Sequence, residues 1–309
     1  MDFKNAKELL ALCVENNISI SQVMRKREIT QTGKSQHEVD IRMAKALSIM
    51  KTSAHSAIAE DLKSMGGLIG GEAKKLQAYQ SQGKNICGNL LSKAIMYAMG
   101  VLEVNATMGV IVAAPTAGSC GVVPGMLLAM QEEYGFSDSQ LIDALFNAGA
   151  IGYLAMRNAT VAGAVGGCQA EVGVASAMAA SAATELMGGS PQMCLAAAST
   201  VLQNMLGLVC DPVGGLVEYP CQNRNASGVA NALIASEIAL AGIPQLIPFD
   251  EMLDTMYAVG KRIPMELRET AMGGCATTPS ACAACGICKK FFYTYIIKKD
   301  TLPKVSFCV

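Results

Sequence analysis

Three stretches of this chain set glycine beside thiol, hydroxyl and amide side chains in otherwise apolar surroundings. The first is Pro115-Thr116-Ala117-Gly118-Ser119-Cys120-Gly121 and the second is Gly166-Gly167-Cys168-Gln169-Ala170-Glu171. The third runs from Cys210-Asp211-Pro212-Val213-Gly214-Gly215 to Pro220-Cys221-Gln222-Asn223-Arg224-Asn225. Buried polar loops cost free energy unless their groups are satisfied, so clusters of this kind often mark sites. Each stretch alone also reads as a plain helix–helix connection; thiols or hydroxyls in all three favour a site. Cys168, Cys210 and Cys221 could converge on an iron–sulfur cluster, with free backbone N–H groups left to bond its sulfides. Their spacing matches no compact zinc or ferredoxin signature. A buried free cysteine is otherwise simply a small apolar residue.

A second thiol group lies near the end. Cys282, Cys285 and Cys288 form C-x-x-C-x-x-C with Cys275 upstream, a spacing that resembles the start of a ferredoxin-type motif. On a helix over 280–292, however, positions i, i+3 and i+6 drift around the axis and make a poor claw. Histidine is confined to His37 and His55. His55, on an expected helix, is a candidate general base or an ordinary half-exposed helix residue. Lys93 sits in an apolar helix, where it could form a Schiff base with pyridoxal phosphate or carry its ammonium group to the surface.

Helices must position these groups. Residues 2–16 read as a short amphipathic helix with Leu9, Leu10 and Cys13 on one face, and a second runs from Ser19 to Arg27. A polar linker over 30–35 leads to Ser35 and Glu38, spaced as a capping box, before a long helix to about Met65. Gly66-Gly67 and Gly70-Gly71 predict a turn or a close backbone approach. Helices are expected over 89–105, 138–156, 171–187, 191–207, 227–241 and 250–261, with 210–225 as a loop. Ser190-Pro191 supplies an N-cap and first-turn pair. The 171–187 segment is alanine-rich and almost uncharged, which predicts a fully buried helix. No alternating strand pattern persists. The expectation is an all-α fold with buried apolar central helices and a pocket formed by loops: a helical catalytic domain over 1–274 and a Cys-rich tail over 275–309.

Composition narrows the function classes. Of 309 residues, 51% are hydrophobic and 16% charged, which excludes general disorder. A net charge of −1 gives no reason to expect nucleic acid or an anionic membrane as a partner. Residues 104–131 carry no charge, but Pro115, Pro124 and several glycines break them, so they read as helix, loop, helix inside a core and not as a membrane span. The start Met1-Asp2-Phe3-Lys4-Asn5 lacks the features of a secretory signal, which predicts a cytoplasmic location with reduced thiols.

The loop motifs, together with Leu206-Gly207-Leu208-Val209 before Cys210 and Arg268-Glu269-Thr270 before Gly273-Gly274, resemble the α chain of bacterial iron–sulfur L-serine dehydratases. The resemblance runs in order from about Ser53 to Gly274. It implies a helical catalytic domain and a 4Fe–4S cluster on Cys168, Cys210 and Cys221 with one iron left open. It also implies elimination of water from L-serine, giving pyruvate and ammonia. Pro115, Thr116, Gly118, Ser119 and Gly121 become candidates to hold the substrate carboxylate, with Arg224 as a further partner for it or for the cluster's charge. Thr116, Ser119 and His55 are the catalytic candidates. The family's β part carries a Ser-Ser-Ser-His-Thr segment that this sequence lacks, so a separate β subunit is the expected partner. The chain also continues past Gly273-Gly274, where the resemblance makes Cys308 conceivable as a fourth ligand. The rival readings are an L-cysteine desulfidase with the same kind of cluster, an electron carrier built on Cys282, Cys285 and Cys288, and a metal-free structural or regulatory paralogue of the same fold.

Overall fold

A computed structural model describes residues 1–285, and every regular element among them is helical. The N-terminal part holds α1 (Ala6–Asn16), α2 (Ile20–Thr32), α3 (Gln36–Ala59), α4 (Glu72–Gln80) and α5 (Gly88–Ala106). The central part holds α6 (Val122–Tyr134), α7 (Asp138–Asn158), the one-turn α8 (Gly163–Gly166), α9 (Val174–Leu186) and α10 (Pro191–Asn204). α11 (Cys221–Leu240), α12 (Phe249–Gly260) and the short α13 (Pro279–Ala284) follow. Cys288 and Cys308 lie outside the described residues. No described helix is long and apolar enough to cross a membrane.

Local chemistry sets the helix ends. The Ser35–Glu38 capping box forms as its spacing predicts, and Ser137 with Gln140 makes another ahead of α7. Ser190 accepts from the Met193 N–H with Pro191 in the first turn of α10. α3 stops at Ala59, short of the expected Met65, because Ser64, Gly66 and Leu68 turn to bond the Glu218 carboxylate. α2 extends to Thr32, through part of the expected linker.

α9 is the centre of the molecule. Its residues from Val174 to Thr184 are all buried, and α6, α7, α10 and α11 pack around it. Alanine, serine and glycine let these helices approach closely: a Cβ on Gly125 of α6 would lie 2.8 Å from the Ala94 oxygen of α5. Larger side chains such as Ile151, Leu154 and Leu202 fill the layers between, each contributing about 1.5–3 kcal/mol by leaving water.

This packing brings three chain turns together. The short 3-10 turn Ala117–Ser119 before α6, the π-turn Gln169–Gly173 before α9 and the first turn of α11 all touch. The site loops therefore meet where three longer helices begin, and helix N-termini favour negative charge. The sequence expectation that 210–225 is wholly loop is corrected here, since α11 begins at Cys221. Gln222 on that first turn and Asn225 at the start of the second are buried, so the inward face there is polar and carries no apolar periodicity.

Candidate active site

Cys168, Cys210 and Cys221 are all buried. Cys168 precedes the π-turn that opens into α9, a distortion of helix geometry frequent at functional sites. Cys210 is held as a one-residue strand: its N–H donates to the Leu267 carbonyl at 2.9 Å, and its own carbonyl accepts from the Glu269 N–H at 2.6 Å. Cys221 is the first residue of α11. The Gln169 side chain ties this region together, donating to the Gly166 and Met256 carbonyls and accepting from the Gly207 N–H.

The thiols feel one another. A hydrogen bond from Cys210 holds the Cys168 thiol below its ordinary range, helped by the positive charge of Arg224 and opposed by burial. The same bond, with burial, pushes Cys210 up, and burial pushes Cys221 up. Arg224 is raised in turn. Burial opposes its charge, but Cys168 and Asp211 outweigh that penalty. Its guanidinium lies 2.7 Å from Asp211 Oδ1 and donates to the Val209 carbonyl at 2.9 Å.

The hydroxyl loop faces the same group. Thr116 Oγ1 donates to Glu171 Oε1 at 3.0 Å and lies 3.1 Å from Ser119 Oγ. The other Glu171 oxygen accepts from Cys210 Sγ at 3.7 Å. Burial and the nearby Glu269 push the Glu171 carboxyl up, though its hydrogen bonds oppose this. Gly163 makes room for the group, since a Cβ there would come within 2.6 Å of Glu171 Oε2 and 3.0 Å of Cys210 Sγ. Gly121 is needed for a different reason: its Cβ would sit 2.0 Å from the Ala98 oxygen of α5.

Thr116, Ser119, Cys210 and Glu171 are thus joined by direct contacts, and Cys168, Cys221 and Arg224 by charge and proximity. Among the described residues, no group of three His, Cys, Asp or Glu side chains is set to hold a single metal ion. Three buried thiols with an Asp211-paired arginine beside them instead suit a larger anionic group that spreads its ligands over its own width.

Other candidates stand elsewhere. His55 is exposed on α3, where its Nδ1 meets the Lys51 carbonyl at 2.7 Å and its ring packs against Tyr97. The Lys93 ammonium pairs with Glu132 at 3.0 Å. Cys275 donates its N–H to Asp211 Oδ2 at 2.6 Å, and α13, bearing Cys282, packs against the 213–215 turn. The C-terminal thiol group thus starts against the site, while its last member, Cys288, is outside the described residues. A cavity of about 520 Å³ lies between α1, α10 and α12, lined by Leu10, Leu195, Ile247 and Phe249, with no thiol in its wall.

The family model for the serine dehydratase alpha chain matches residues 15–276. The chain belongs to that family. It is 49% identical over 278 residues to a probable L-serine dehydratase, alpha chain, of Bacillus subtilis (strain 168), a match that covers 90% of this chain and 92% of the relative. It is 44% identical over 271 residues to the L-serine dehydratase, alpha chain, of Peptoniphilus asaccharolyticus, covering 88% and 93%. The L-serine dehydratase TdcG of Escherichia coli (strain K12) is 37% identical over 287 residues, covering 89% of this chain but 62% of that longer relative.

Two further residues belong to this site, though sequence alone gives them no role. Glu171 and Asn225 stand inside the family-like motifs, and both have their side chains at the meeting point of the three loops. Their signal in the sequence was a polar side chain one turn from a candidate thiol.

Proposed function

We propose that this chain is the catalytic alpha chain of an L-serine dehydratase, carrying a 4Fe–4S cluster on Cys168, Cys210 and Cys221 and converting L-serine to pyruvate and ammonia. The observation that carries the reading is the meeting of the thiol group with the Thr116–Ser119 hydroxyl pair at Glu171. When bound, the cluster supplies a Lewis acid for a poor leaving group, the serine hydroxyl.

The chain's own residues then divide the remaining work. Thr116, Ser119 and the Gly118 amide, with Pro115 and Gly121 shaping the turn, bind and orient the substrate carboxylate. Arg224, held by Asp211 and Val209, offsets negative charge beside the thiols. Glu171 holds or moves a proton at Thr116 Oγ1, and burial favours its protonated form. His55, exposed on α3, is left as a helix residue in this scheme.

A β subunit completes the enzyme in this reading. The alpha-chain names of the relatives support it, as does the longer TdcG, of which the match covers 62%. Met108 and Val110, just upstream of the hydroxyl loop, are 77% and 73% exposed, and Met65 beside them is 72% exposed. Such a patch is a natural contact for a second chain.

The test is anaerobic purification with iron and sulfide analysis, followed by a pyruvate assay on serine and on cysteine. Serine at Cys168, Cys210 or Cys221 should abolish cluster incorporation. Serine at Cys282 or Cys285 should leave most iron bound. The reverse pattern would move the cluster to the C-terminal thiols, and a preference for cysteine would make the enzyme a desulfidase.

A further inference from the structure

Asn225 lies on the second turn of α11 and is fully buried. Its carboxamide makes three bonds to backbone. Oδ1 accepts from the Gly121 N–H at 3.0 Å. Nδ2 donates to the Gly118 carbonyl at 2.8 Å and to the Cys221 carbonyl at 2.9 Å. One planar group therefore grips both ends of the 118–121 turn and the residue that begins α11.

We propose that Asn225 is a positioning residue that fixes the hydroxyl loop, and so the bound substrate carboxylate, relative to Cys221. This rests on the function proposed above. The demand on the side chain is specific, because one atom must accept while its neighbour donates twice. A carboxylate would face two carbonyl oxygens, and an aliphatic side chain would leave the Gly121 N–H without its acceptor. The loop's other side-chain anchor is the Thr116–Glu171 bond at its start. Among the described residues, the Gly118 carbonyl and the Gly121 N–H have Asn225 as their side-chain partner, and Ser119 Oγ bonds within its own loop. The backbone cannot move toward α5 either, given the closeness of Ala98 to Gly121. Releasing Asn225 lets the loop swing while Cys221 stays seated on its helix. The thiols then keep the cluster, and the carboxylate site loses its register.

The test uses the anaerobic holoenzyme with its partner chain, carrying Asn225→Ser, Asn225→Asp, Ser119→Ala and the double variant N225S/S119A. N225S is the main variant because its hydroxyl keeps one bond and spares the fold. Iron per chain should match the parent in N225S. KM for serine should rise about tenfold, the loss expected from hydrogen bonds of this kind, with a smaller change in kcat. Hydrogen exchange at the Gly121 amide, read without substrate, should speed up in N225S, while N225D, whose carboxylate repels the Gly118 and Cys221 carbonyls, should raise KM further. The double variant should show much less than the product of the two single effects on KM, because both act through one loop. Unchanged KM and unchanged Gly121 exchange in N225S would overturn the proposal. So would loss of iron with KM preserved, which would make Asn225 a support of Cys221 alone, or strictly multiplicative effects in the double variant. If S119A in the parent leaves KM unmoved, the assignment of the hydroxyl loop fails instead, and the two failures are told apart.

Discussion

The Thr116 hydroxyl donates to the Glu171 carboxylate at 3.0 Å, joining positions 55 residues apart in sequence. It links the loop before α6 to the π-turn before α9, and the same carboxylate receives the Cys210 thiol. A hydroxyl, a carboxyl and a thiol therefore share one half-buried junction. Thr116→Val keeps the shape and removes the donor. It should lower kcat/KM for serine by roughly a hundredfold, the scale of losing one oriented donor in an active site, while Thr116→Ser retains most of the rate. Steady-state pyruvate formation on anaerobic enzyme reads both. A T116V enzyme at parental rate would remove Thr116 from the chemistry.

Glu218 supports the site from behind. Its carboxylate accepts from Ser64 Oγ at 2.7 Å, the Gly66 N–H at 2.6 Å and the Leu68 N–H at 3.1 Å. Three residues later in the chain comes Cys221. Glu218→Ala leaves three donors without their acceptor and should cost about 3 kcal/mol in urea unfolding. Glu218→Gln retains an acceptor oxygen and should cost less. Equal stability of E218A and the parent would show that water replaces the carboxylate without loss.

The same carboxylate shows where sequence reading reached and where it stopped. Capping pairs such as Ser35–Glu38 and the polar loops around Cys168, Cys210 and Thr116 were legible, because they depend on neighbours in sequence. The all-helical class followed from the alanine-rich stretches that became α9 and α10. The end of α3 was not legible, since it depends on Glu218 more than 150 residues away. The start of α11 was hidden because its buried face is made of Gln222 and Asn225. Glu171 stood inside a quoted motif, but only tertiary packing places it against Thr116 and Cys210. α4, over Glu72–Gln80, was missed: it buries only Ala73, too little for an apolar period.

Glu185 offers a pH test away from the thiols of the site. Its largely buried carboxylate accepts from Asn147 Nδ2 at 2.7 Å and the Ser21 N–H at 3.3 Å, with Cys13 and Cys194 within reach of its charge. Burial pushes its pKa up, and the hydrogen bonds only partly oppose this. A carboxyl raised on folding binds more protons in the native state. Its contribution is thus fully present below the ordinary glutamate value of about 4.3 and is lost as pH rises through the raised one. Glu185→Gln removes that dependence. The stability of E185Q relative to the parent should therefore increase as pH rises from about 4, then level off once the parental carboxyl is ionised. Unfolding midpoints across that range check it, and a difference independent of pH would show that Glu185 keeps an ordinary pKa.

Elimination needs the substrate enclosed and a proton acceptor within hydrogen-bond reach of the α-carbon. His55 bonds Lys51 on an exposed helix face, so among the described residues the proton-transfer groups at the hydroxyl loop reduce to carboxyls. Met108 and Val110 meanwhile hold an exposed apolar surface just before that loop. This chain alone, with its cluster intact, should turn over serine slowly, and co-expression with a β-type chain should raise the pyruvate rate by orders of magnitude. Val110→Asp should weaken the complex, measured by co-purification, without changing iron content, because the side chain is exposed and outside the thiol group. Turnover of ~10 per second by the chain alone would be an ordinary enzymatic rate. That result would end the two-chain reading and leave Glu171 to act without help from a partner.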